Sequence, residues 1–84
     1  MKHASVQDLA GFEDLITRIR SIGELKERTP LHFYYKGRGI LHFHIDSDVI
    51  YADLAETRIR LGSPGNHDES AEHQLYESLV AMIK

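Results

Sequence analysis

From residue 31 to residue 61 the chain alternates between apolar and polar side chains with a period of two. Leu31, Phe33 and Tyr35 form one apolar series. Leu41, Phe43 and Ile45 form a second, Ile50, Ala52 and Leu54 a third, and Ile59 and Leu61 a fourth. Alternation of this kind marks strands with one buried face. The breaks at KGRG, at DSD and near Glu56-Thr57 divide the region into four strands.

The flanks carry a different period. Leu9, Phe12, Leu15, Ile16, Ile19 and Ile22 recur at helical spacing and predict a helix from Ser5 to about Glu27. Ser5 suits its N-cap, Asp8 its positive end, and Arg18 and Arg20 its negative end. Pro30 stops it. Beyond the strands, GSPGNHDES has the composition of a plain loop. A last helix follows, capped by Ser70 or Asp68. Its apolar stripe is Leu75, Leu79, Met82 and Ile83, with Tyr76 and Val80 beside it, and Tyr76 and Met82 are assigned to the core.

Register follows from burial, because a slip of one residue sends every side chain to the wrong face. A three-residue turn at Gly37-Arg38-Gly39, with Gly39 left-handed, pairs Tyr35 with Leu41, Phe33 with Phe43 and Leu31 with Ile45. A turn at Ser47-Asp48 pairs Ile45 with Ile50, Phe43 with Ala52 and Leu41 with Leu54. A turn near Glu56-Thr57 sets Ile59 opposite Leu54, Leu61 opposite Ala52 and Arg60 beside Asp53. The expected fold is α+β in two layers, with order α-β-β-β-β-α. A four-stranded antiparallel meander has both helices on its apolar face.

The other face then stays open, and it gathers His32, Tyr34, His42, His44, Tyr51 and Asp53. In these registers His42 lies between Tyr34 and Asp53, and His44 between His32 and Tyr51. Asp53 is expected to favour charge on His42, which would make His42 the last of these histidines to lose its proton. His-x-His on a strand aims two imidazoles to one side, so His42 and His44, completed by Asp53 or His32, form a candidate site for a divalent metal such as zinc. Acid/base chemistry would use Asp53 to orient His42, with Tyr34 or Tyr51 as proton donor. No serine or threonine stands among the open-face positions to act as a nucleophile. "KGRG" lacks the strand-to-helix setting of a phosphate loop and is read as a hairpin turn. His67 and His73 are read as solvated.

Composition narrows these options. The chain of 84 residues is 42% hydrophobic and 27% charged, which fits one globular domain over residues 1–84. A net charge of −3 weighs against nucleic acid as a partner. The absence of cysteine excludes disulfides and thiolate ligands. With no signal-like or membrane-length apolar run, the expected setting is cytoplasmic. The leading expectation is a small interaction or ligand-binding domain that works through the open face and self-associates as a homodimer. The alternative is a divalent-metal-binding protein, hydrolytic in one version of that reading, with His42 and His44 as ligands.

Overall fold

The 40–54 stretch forms the hairpin that its alternation requires. In a computed structural model, which describes residues 2–83, Arg38–Asp46 and Val49–Leu54 are antiparallel strands. Their pairs include Leu41–Leu54, His42–Asp53, Phe43–Ala52, His44–Tyr51 and Ile45–Ile50, as expected. Ser47 and Asp48 form the turn, both at positive φ (49° and 67°). A two-residue turn with this twist matches the right-handed twist of the strands.

The sheet is larger than a four-stranded meander. Its strands in chain order are β1 (Lys2–His3), β2 (Lys26–Thr29), β3 (His32–Tyr35), β4 (Arg38–Asp46), β5 (Val49–Leu54), β6 (Thr57–Ser63) and β7 (Asn66–His67). The strands β2 to β7 are spatially consecutive and antiparallel, and β1 pairs with β4. β3 pairs with the Arg38–Leu41 end of β4, whereas β1 pairs with His44 and Ile45 on the same strand. The helices are α1 (Glu13–Arg20) and α2 (Glu69–Ile83). The architecture is α+β. Leu15, Ile16 and Ile19 of α1 and Ala71, Leu75 and Leu79 of α2 join one core with Phe33, Leu41, Phe43, Ile50, Ala52, Leu54, Ile59 and Leu61. Among the described residues no helix is long and apolar enough to cross a membrane.

Two hairpins differ from expectation by two residues, and each is irregular. Between β3 and β4 the turn is Lys36-Gly37, both at positive φ (51° and 83°). The three-residue turn with a left-handed Gly39 does not form. Phe33 pairs with Leu41 and Tyr34 with Gly39, leaving Ile40 as the extra residue of a bulge. A plain two-residue turn would have mixed the faces, and the bulge restores them. Ile40 and Leu41 are both buried. Between β5 and β6, Leu54 pairs with Thr57, Asp53 with Arg58, Ala52 with Ile59 and Tyr51 with Arg60. The expected Ile59–Leu54, Leu61–Ala52 and Arg60–Asp53 pairs are therefore replaced. A second irregularity lets Gly62 oppose Ile50.

The flanks are also corrected. Ser5 and Asp8 do cap reciprocally: Ser5 N–H donates to Asp8 Oδ2 at 2.8 Å and Asp8 N–H to Ser5 Oγ at 3.2 Å. They close a single 3-10 turn at Gln7–Leu9 and not a long helix. Gly11, at φ 95°, turns the chain before α1. Glu27 belongs to β2, where Arg20 grips its carboxylate at 2.8 and 2.9 Å and the Leu31 N–H donates to it at 2.8 Å. The supposed loop after Leu61 contains the end of β6, a turn and β7. Asp68 caps α2 through the Ala71 N–H at 3.0 Å. Met82 is 43% exposed and not core, while Tyr76 packs against the core.

Gly62 is the tightest point of the last hairpin. It sits at φ 90°, and a Cβ there would run into the Asn66 carbonyl oxygen. Gly62→Ala should therefore cost about 1–3 kcal/mol in urea unfolding. Gly65→Ala, where a Cβ would meet nothing within 4 Å, should cost much less. Equal losses would contradict the assigned hairpin.

Candidate metal centre on the open sheet face

The open face is organised by two rows that run across the strands. In one, His3 of β1 pairs with His44 of β4, His44 with Tyr51 of β5, and Tyr51 with Arg60 of β6. In the other, the His32 ring stacks on that of His42 (5.8 Å, 7°), His42 pairs with Asp53, and Asp53 with Arg58. These rows follow from the registers above, because residues of one face recur at every second position.

Four imidazoles thus share one patch. His3 stacks on His32 at 5.0 Å between ring centroids and on His42 at 5.6 Å, and meets His44 edge-on at 4.7 Å. His42 meets His44 edge-on at 4.8 Å. A ring nitrogen of His3 and one of His32 are 3.2 Å apart, so one donates and the other accepts. His3, His42 and His44 each offer a nitrogen within 4.8 Å of the other two. Around tetrahedral zinc, with Zn–N at about 2.0–2.1 Å, ligand nitrogens stand about 3.3 Å apart.

The carboxylate of Asp53 is held from one side by Arg58, whose Nε and Nη2 donate to its two oxygens at 2.7 and 3.0 Å. From the other side His44 Nε2 approaches Oδ2 at 2.9 Å. Arg58 lowers the Asp53 pKa below its usual value, against the opposing effect of burial. The His44 contact is at ion-pair distance without hydrogen-bond geometry. Nδ1 of His44 is buried and has no hydrogen-bond partner among the described residues, and the same holds for Nδ1 of His42. A carboxylate beside an imidazole is a common neighbour of metal-ligating histidines.

Of the six residues expected on this face, His32, His42, His44 and Asp53 come together. Tyr51 lies beside them in the His44 row. Tyr34 pairs with Gly39 instead of His42, and Arg28 lies over its ring at 5.1 Å. His32 stacks on His42 instead of pairing with His44. Asp53 contacts His44, although it lies across from His42. Arg58 takes the place expected for Arg60.

The expected direction at His42 is reversed. Burial, followed by the charge of His44, holds His42 below the usual histidine value; Asp53 opposes this, and His3 and His32 add to it. Burial thus favours the neutral ring of His42, and the neutral ring is the form that binds metal.

Sequence reasoning missed His3. Its strand has two residues, too few to show a period. It also missed His67, whose ring lies flat on Phe12 (4.0 Å, 2°) with Nδ1 3.3 Å from Glu72 Oε2. That contact lacks hydrogen-bond geometry. His67 is half-buried and not a solvated loop residue. Burial, opposed by the His67 charge, raises the Glu72 pKa. This pair lies on the core side of the sheet, since His67 pairs with Gly62 and stacks on buried Phe12.

No protein-family model, curated protein or solved structure matches the chain.

NMR titration in the presence of a chelator should place the His42 midpoint below 6.5, the unperturbed value. The unfolded chain then binds its proton first. His42 therefore contributes stability that is intact above that value and declines as pH falls through it. A midpoint above 6.5 would contradict the burial of the ring.

Proposed function

We propose that the protein is a small metal-binding domain that holds a divalent transition ion, zinc being the natural choice, on His3, His42 and His44. The observation that carries this reading is the convergence of three ring nitrogens within 4.8 Å. The buried, unpartnered Nδ1 atoms of His42 and His44 and the Asp53 carboxylate 2.9 Å from His44 support it. Imidazole suits zinc, copper, nickel and iron, and the chain has no thiolate to favour a closed Cys-type site. Asp53 is spoken for by Arg58 and His44. Its role is to orient a ligand, while His32 buttresses His3.

Three histidine ligands leave a position open, as in catalytic zinc sites. The face is a sheet surface and not a cleft, so the reading extends to binding at that position and assigns no reaction. Homodimerisation through the same face is the weaker reading. Among the described residues the exposed large hydrophobics are Val6 and Met82, and neither lies on the open face. Such a face offers little apolar area to drive self-association.

Zinc or cobalt(II) added to chelator-treated protein should bind at one ion per chain and raise the melting temperature. At a free concentration of about 100 times Kd the gain is about 2.7 kcal/mol. His42→Ala and His44→Ala should abolish binding, and Asp53→Asn should weaken it about 10–100-fold. Unchanged binding in His42→Ala, or no binding by the parent, would refute the site.

A further inference from the structure

Charge is not spread evenly over the molecule. Within the strands, the residues on the open side include Lys26, which pairs with Tyr34, and Arg28, which lies over the Tyr34 ring. On β6 they include Arg58 and Arg60. The carboxylates on that side are Asp53 and, at the end of β4, Asp46. Four cations against two carboxylates leave an excess of two positive charges, on a chain whose net charge is −3. Arg58 is committed to Asp53. Arg60 has no hydrogen-bond or ion-pair partner among the described residues.

Arg60 also stands in the row that contains two of the three histidines. It is one strand beyond Tyr51, which is one strand beyond His44. Two strand spacings are about 10 Å. An extended arginine is long enough to cross much of that gap over the Tyr51 position. We propose that the metal held by His3, His42 and His44 takes an oxyanion, a phosphate or carboxylate group, in its open position. Arg60 binds the oxygens that the metal leaves free. This inference rests on the metal-binding reading and adds the ligand class.

The chemistry favours this pairing. A planar guanidinium grips carboxylate and phosphate with two parallel hydrogen bonds. A divalent ion on three neutral imidazoles keeps its full charge and attracts an anionic fourth ligand. The flanking cations add a field of the same sign, while the acidic remainder of the chain directs anions to this face.

The test uses the full chain loaded with cobalt(II), whose visible spectrum responds to its fourth ligand. Inorganic phosphate and acetate are titrated separately at constant ionic strength. At least one should shift the spectrum saturably. A response to phosphate alone assigns a phosphoryl ligand, and a response to acetate alone a carboxylate. Arg60→Gln should weaken the responding anion about tenfold or more and leave cobalt affinity unchanged. Arg38→Gln removes the same charge at a position paired with Tyr35 on the core side and should have little effect. A spectrum insensitive to both anions, equal affinity in Arg60→Gln, or equal losses in the two variants would overturn the proposal. Failure of the parent to bind cobalt would instead overturn the metal-binding reading beneath it.

Discussion

The constraint on which the site depends is the register of β4 against β5. β4 pairs with three strands, and its alternation assigns each of its side chains to core or open face. Phe43 and Leu41 are buried because Ala52 and Leu54 lie opposite them, and the same pairing brings Asp53 and Tyr51 up beside the histidines. A slip of one residue would bury His42 and His44 under the helices, where the desolvation of imidazole would oppose folding. Core and site are thus two consequences of one register. This is why a centre of polar side chains can sit on a sheet with no cleft to define it.

The parts legible in the sequence are those that burial alone determines. The Ser47-Asp48 turn sets a register that puts Leu41, Phe43 and Ile45 on one face with Leu54, Ala52 and Ile50, and that register forms. The neighbouring hairpins each slip by two residues, an error the face pattern cannot detect, since residues two apart share a face. What decides between such registers is turn chemistry and bulges. Lys36-Gly37 adopts the tight two-residue turn, and Ile40 is inserted to restore the pattern. The slip leaves the list of open-face residues intact but changes who touches whom. His32 moves from His44 to His42, and the partner of Asp53 becomes Arg58 in place of Arg60.

The amino-terminal flank failed for a different reason. Apolar residues from Leu9 to Ile22 do occur at helical spacing, yet Gly11 at positive φ interrupts the helix, and the Ser5–Asp8 cap closes a single turn instead. Ahead of that turn, residues 2 and 3 pair with β4. His3 consequently has no periodic signal of its own; its position is set by the short Lys2–Ile45 and His3–His44 pairing and by the Ala4 N–H, which donates to the Phe43 carbonyl at 2.9 Å.

The change of partner for Asp53 bears directly on what the face can bind. Had Arg60 paired with Asp53, both ends of the rows would carry spent charges, and Arg58 would lie at the sheet's turn end. Instead the pair is made within the His42 row, so the carboxylate is neutralised by Arg58 and held 2.9 Å from His44 Nε2. The arginine left over lies in the row of His3 and His44. A neutral imidazole cluster has no electrostatic reason to gather anions on its own. A cluster that holds a divalent ion, with a free guanidinium in the same row, does. In the proposed reading a bound metal would supply the charge, and the register decides which arginine is available to share its ligand.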